Sequence, residues 1–225
     1  MLVQAGASEE GRQLAAETAE LVFTVSQTRD IGQAFCTDMR DRMAKVGRDP
    51  GHLKVLPAAL VIVADSLDEA QERRARLDSL VHSDSAIAAL SIAVGHDISH
   101  YDPDGPLPTD LPETNQSKSG RERAYALEAR EGLTLRQVAQ RLGGFGGPCI
   151  LGTPKSIADE MENWFRSGAC DGFTVMFPYL PAGLDDFVNK IVPELQRRDL
   201  LRTAYDGTTL RDHLGLPRPA NQFVS

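Results

Sequence analysis

Ser8 closes a Gly6–Ala7–Ser8 turn directly before an alanine-rich run that begins at Glu9. At such a helix start the first N–H groups have no partner inside the helix, and the helix dipole adds positive potential, so an anion is favoured there. Gly6 and Ala7 admit close approach of the backbone, and the Ser8 hydroxyl can donate one further hydrogen bond. The same serine can instead accept an N–H of the first turn, the ordinary N-cap role. The residues alone leave both readings open, and Glu9 and Glu10 suit the dipole without helping an anion to bind.

Other chemistry-bearing residues point less far. His96 and His100 have the i,i+4 spacing that sets two imidazoles on one helical face, but they lack the glutamate of an HExxH site, and Pro103 and Gly105 indicate a loop. A solvated pair and no metal are expected. Gly143–Gly144–Phe145–Gly146–Gly147 lacks the lysine and hydroxyl residue of a P-loop and reads as a hinge, with a lid over substrate as the functional alternative. Cys36, Cys149 and Cys170 show no CxxC pairing and no adjacent histidine, so small buried thiols in a reducing cytoplasm are expected. Trp164 and Phe165 share an apolar face with Ile157 and Met161 and read as packing residues.

The elements that must position these residues alternate. Leu2–Ala5 reads as a strand feeding a helix from Glu9 to about Ala19. Leu21–Val25 is a second strand, followed by a helix on which Ile31, Phe35, Met39 and Met43 recur every fourth residue and which Gly47 closes. Leu53–Ala64, interrupted by Pro57, is a third strand, with Ser66 or Asp65 capping the next helix. Thr153–Pro154 starts a helix that Gly168 ends, and Gly172–Phe177 is a fourth strand before a helix that Pro193 kinks or restarts. This predicts an α/β fold with a parallel sheet, divided into three βα units over 1–94, an insertion or lid over 95–147, a last βα unit over 148–200 and a C-terminal extension over 201–225. Periodicity does not choose between an open four-strand sheet and half of a closed barrel.

The 225 residues carry a formal net charge of −8 with arginines and lysines interspersed among acids, which argues against a nucleic-acid partner. No apolar run approaches the roughly 20 residues that span a bilayer, so no membrane segment is expected.

Several stretches carry a resemblance. Gln4–Ala5–Gly6–Ala7–Ser8 followed by Gly11, and Gly152–Thr153–Pro154 through Ala158–Asp159–Glu160, resemble the nitrilotriacetate and dibenzothiophene-sulfone monooxygenase branch of the bacterial luciferase-like family. Asp171–Gly172–Phe173, Pro178–Tyr179–Leu180–Pro181 with Gly183–Leu184–Asp185–Asp186–Phe187, Val192–Pro193–Glu194–Leu195–Gln196–Arg197–Arg198 and Thr208–Thr209–Leu210–Arg211–Asp212–His213–Leu214–Gly215–Leu216 extend it over nearly the whole chain. The resemblance implies the C-terminal half, units five to eight, of a (β/α)₈ barrel. It also implies reduced FMN supplied by a separate flavin reductase, with O₂ used to oxygenate a small organic substrate. Gly6, Ala7 and Ser8 are then the residues at the FMN phosphate. The family's catalytic histidine and tyrosine fall upstream of Met1, so no catalytic residue is assigned, and an N-terminal half chain or a homo-oligomer is the expected partner. The alternative is a non-catalytic, self-associating half-barrel that keeps at most a flavin-phosphate site.

Overall fold

A computed structural model describes residues 1–113, 118–144 and 148–219, which form two compact units. The first comprises Met1–Asp65 and Pro148–Ser225, and the second Ser66–Gly147.

In the first unit β1 (Val3–Gln4) leads to α1 (Glu9–Thr18), β2 (Leu21–Thr24) to α2 (Arg29–Lys45), and then comes the long β3 (Lys54–Val63). After the second unit the chain returns as β4 (Cys149–Gly152), α7 (Pro154–Arg166) and β5 (Thr174–Met176). Every pairing is parallel: β1 with β2, β2 with β3, and both β4 and β5 with β3. Successive residues of a strand turn their backbone groups to opposite edges. Lys54, Leu60 and Ala64 give their N–H groups to Glu20, Pro148 and Gly152, whereas Val55 bonds Asp171, so β2 and β4 lie end to end along one edge of β3 and β5 takes the other.

The sheet thus has the four expected principal strands, β1, β2, β3 and β5, plus one the sequence reading lacks. The stretch 148–200, expected as a single βα unit, holds both β4 and β5. Four residues beside a glycine run carry too little alternation to announce a strand. Pro57 does not break β3, because the edge it faces has no ladder there: the Val55 N–H bonds the Asp171 carboxylate at 2.8 Å, and β5 pairing begins only at Ala58.

Two apolar clusters on one face of β3 hold the helices to this sheet. Ala15 and Ala16 of α1 and Phe35, Met39 and Met43 of α2 pack with Val22 and Val55, while Ile31, expected on the same face, is half exposed. Ile157, Ala158 and Met161 of α7 pack on Ala59, Val61 and Val63, and Phe165 departs from that face to stand 48% exposed. Gly32 lets α2 approach the end of α7: a Cβ there would lie 2.8 Å from the Ala169 carbonyl oxygen and 2.9 Å from the Trp164 ring. Gly32→Val is therefore expected to destabilise the fold by about 1–3 kcal/mol, read as a lower urea midpoint at unchanged slope.

The closing helix runs as α8 (Ala182–Asp186), a π-helical turn (Phe187–Ile191) and α9 (Val192–Arg197). Pro193, which lacks an N–H and crowds the preceding carbonyls, accounts for the widened turn just before it. Arg198 ties this helix to α7 through Asp159 at 2.7 Å and Glu162 at 3.1 Å, while Glu194 of α9 itself holds the same guanidinium at 2.7 Å. Hydrogen bonds from Arg197 and Arg198 hold the Glu194 carboxyl at about 2, against an ordinary 4.5. A depressed carboxylate contributes stability that is complete above its unfolded value and is lost as pH falls through its folded one. The urea midpoint is expected to fall between pH 4.5 and 2, and Glu194→Gln to make that fall shallower.

The extension ends in α10 (Leu210–Leu214), which opens with a capping box of Thr209 and Asp212. Arg211 reaches back to Glu20 at 2.8 Å, fastening the extension beside the start of β2.

The second unit contains α3 (Leu67–Ser79), α4 (Ser83–Val94), α5 (Lys118–Glu131) and α6 (Leu135–Gly144). It begins at Ser66, which caps α3, and so takes in α3 and α4 as well as the described part of 95–147. Leu90, Val94, Ile98, Leu107, Leu135 and Val138 give it a core of its own. Its proline-bearing segment is pinned by Arg121 on the Pro112 carbonyl at 2.8 Å, Glu128 on the Leu107 N–H at 2.8 Å and Tyr125 on the Pro108 carbonyl. Of the Gly143–Gly147 run, Gly143 and Gly144 end α6, and 145–147 lies outside the described residues. Among the described residues no single helix is long and apolar enough to cross a bilayer.

Candidate functional site

All the strands of a parallel sheet present their C-terminal ends on one side, where α/β proteins assemble ligand sites. The Gly6–Ala7–Ser8 turn lies on that side, between β1 and α1. Gly6 and Gly11 meet back to back, a Cβ on Gly6 falling 3.3 Å from the Gly11 Cα and 2.8 Å from the Gln4 side-chain nitrogen. The Gln4 carboxamide oxygen in turn accepts the Gly6 N–H. The turn is thus braced from below by glycine and glutamine, and a larger residue at position 6 would have to displace the Gln4 carboxamide and press on Gly11.

Ser8 is the N-cap of α1: its backbone is extended (φ −66°, ψ 166°), and its Oγ accepts the Gly11 N–H at 3.1 Å. Its carbonyl takes the Arg12 N–H at 2.9 Å, so the Glu9 and Glu10 N–H groups have no partner among the described residues. The Ser8 hydroxyl hydrogen is not used by the cap. Capping and anion binding, which stand as alternatives in the sequence, are therefore compatible in this geometry.

Of the two acids after the turn, Glu9 is drawn aside. Glu9 pairs with Arg42 at 2.9 Å, and that hydrogen bond lowers its carboxyl below the ordinary value. Arg42 also holds Asp38 at 2.9 Å, and Asp38 holds Arg12 at 2.9 Å. Partial burial would raise the Asp38 carboxyl, but the hydrogen bonds from Arg12 and Arg42 outweigh it and the net shift is downward. Arg12 Nε donates to the Ala7 carbonyl at 3.0 Å, so a guanidinium braces the turn from the side of α2. Sequence reasoning missed Arg12: its partner Asp38 is 26 residues away, and only the packing of α1 on α2 brings them together.

The remaining candidates are dispersed. Among the described residues no group of three metal-ligating side chains gathers. α4 ends at Val94 with Gly95 in the left-handed region (φ 72°), so His96 and His100 follow the helix in the loop that Pro103 and Gly105 suggest, and His100 stacks on Tyr101 at 4.4 Å. Cys36 and Cys170 are buried, which pushes their thiols up to about 11 and about 12 and leaves them unreactive at neutral pH, while Cys149 lies in β4. Trp164 is buried against Phe173, its ring centroid 6.1 Å away, which makes it a packing residue.

Comparison with known proteins supplies what the turn alone does not. The family model described as luciferase-like monooxygenase matches residues 2–171. Nitrilotriacetate monooxygenase component A of Aminobacter aminovorans is 51% identical over 226 aligned residues, covering 100% of this chain and 50% of that protein. The crystal structure of DmoA from Hyphomicrobium sulfonivorans superposes with a TM-score of 0.81 at 30% identity, covering 94% of this chain and 44% of that one. A riboflavin lyase, solved with modified FMN and riboflavin, superposes with a TM-score of 0.77 at 27% identity over 95% of this chain and 47% of its own. The chain spans about half the length of the relatives it matches.

Proposed function

The chain belongs to the luciferase-like monooxygenase family, and on that premise we propose that it is the FMN-phosphate-binding half of a two-component monooxygenase. The observation that carries this reading is the braced turn at Gly6–Ala7–Ser8, where the Glu9 and Glu10 N–H groups and the Ser8 hydroxyl lie at the positive end of a ten-residue helix. Glu9 and Glu10 would hold the phosphate through their main-chain N–H groups, and Ser8 through its hydroxyl. Gly6 keeps the backbone low enough for that approach, and Arg12 fixes the turn through the Ala7 carbonyl.

Bound FMN, reduced by a separate reductase, supplies the activation of O₂ for oxygenation of a small organic substrate. The protein's own share is to anchor the phosphate and to set the flavin against the C-terminal ends of β1, β2, β3 and β5. The chain spans about half of the relatives' length, and the residues that complete the barrel, in the same polypeptide or in a partner, are proposed to be needed for oxygenation. The test combines FMN titration of the 225-residue chain with an oxygenation assay, run with a reductase, NADH and the N-terminal half of the nitrilotriacetate relative. FMN binding by the mixture and oxygenated product only on mixing are expected. A mixture that binds no FMN overturns the proposal.

One feature favours a second reading, self-association without catalysis. β1 and β5 each pair with a single strand, and Leu2 and Val3 stand 60% and 59% exposed at the β1 edge. Light scattering that returns a dimer unable to bind FMN would support this reading over the first.

A further inference from the structure

The flavin reading leaves unused a pocket among the helices that cover the sheet. It lies between α7, β5 and the π-turn with α9, and has a volume of about 230 Å³. Met161 and Phe165 of α7 form one wall, Phe173 and Val175 the floor, and Phe187 and Leu195 the other wall. Val175 and Phe173 pack with the same cluster as Ile157 and Met161, which places the pocket on the helix-covered face. Phe165 is half exposed at 48%, a large ring left in water on a helix whose other apolar residues are buried.

From this geometry we infer that the pocket is a second binding site, for a small uncharged aromatic or aliphatic molecule. Size is the first reason: an apolar cavity of about 150 Å³ is enough to hold benzene. Lining is the second, because three phenylalanines offer the edges and faces that aromatic rings pack against at roughly 4.5–7 Å between centroids. Charge is the third. Among the described residues Asp171 is the one ionisable residue in the lining, and it is already committed, Oδ2 accepting the Val55 N–H at 2.8 Å and Oδ1 lying 4.0 Å from Arg40. Its negative charge disfavours anions, and no second acid accompanies it to recompense a cation for its lost water. An occupant would also touch Phe187, whose ring meets Phe177 at 5.6 Å just beyond the C-terminal end of β5. The site is independent of the flavin proposal, since none of its residues belongs to the Gly6–Ser8 turn.

The chain carries a built-in reporter, since Trp164 is its only tryptophan and stands edge-on to the pocket floor at Phe173. Toluene titrated into the 225-residue chain is expected to change Trp164 emission saturably, and benzoate at the same concentrations is not. Val175→Phe and Leu200→Phe, each filling the pocket from a different side, are expected to weaken toluene binding at least tenfold with unchanged far-ultraviolet circular dichroism. No toluene response in wild type, by emission or by shifts of the aromatic proton resonances, overturns the site. So does equal toluene affinity in both filling variants, or a dimer whose formation abolishes the response, which would assign the pocket to a second copy. Equal affinity for benzoate overturns the restriction to uncharged ligands.

Discussion

Trp164→Ala is expected to lower the unfolding free energy of the first unit by about 3–5 kcal/mol, the range for deleting a buried indole. Trp164 is 3% exposed and serves three contacts at once. Its ring lies edge-on to Phe173, its N–H donates to Glu160 at 2.9 Å, and it fills the space that Gly32 opens on α2. Alanine removes the first two and leaves a void at the third, where rigid backbone from α2 and from the chain beyond α7 resists collapse. For a chain of this size each kcal/mol moves the melting temperature by about 2–4 °C, so a fall on the order of 10 °C is expected. Trp164→Phe keeps a ring in place while losing the Glu160 bond, and should cost clearly less. An alanine variant that melts within a degree of wild type would show that the contact between α2 and α7 does not hold the unit together.

Ser8→Ala is expected to weaken FMN binding by about 1.5–3 kcal/mol, the worth of a hydrogen bond to a charged group, or roughly ten- to a hundredfold in affinity. The same substitution removes an N-cap, which by itself costs about 0.5–2 kcal/mol of stability. Ser8→Asp separates the two roles. An aspartate accepts the Gly11 N–H as the serine does, so the melting temperature should stay near wild type, but its charge meets the phosphate and affinity should collapse. If Ser8→Asp and Ser8→Ala both leave FMN affinity unchanged in a mixture that binds the flavin, the phosphate is not at this turn, and Ser8 is a cap alone.

Local signals in the sequence were sufficient wherever one residue type determines one backbone outcome. Thr153–Pro154 starts α7, Gly168 and Gly47 follow helix ends with positive φ, and Pro193 divides the last helix, as spacing and side-chain chemistry predict. What stayed hidden depends on residues far apart. Nothing near Cys149 announces β4, since four residues gain strand geometry only by completing the edge of β3 that β2 leaves open. Pro57 read as an interruption because the Asp171 carboxylate that relieves its neighbour lies beyond the whole second unit. The turn at Gly6–Ala7–Ser8 was legible as strand, turn and helix, yet its bracing by Arg12 was not, because that depends on α1 lying against α2. Phe165 looked like core because helical periodicity cannot distinguish a face that meets the sheet from one that borders a pocket.

The position of β3 has a consequence for synthesis. During translation β3 emerges with only β2 available as a neighbour, and its other edge waits for Asp171, 116 residues after Val55. Meanwhile the helical unit, with a core of its own, can compact first. A nascent chain stalled before β5 therefore presents Ala58, Ala59 and Leu60 with an unladdered, apolar edge, the state in which a chaperone has most to protect. Ribosome-bound chains arrested just before residue 171 should be more easily captured by a holdase than chains arrested after the extension has emerged.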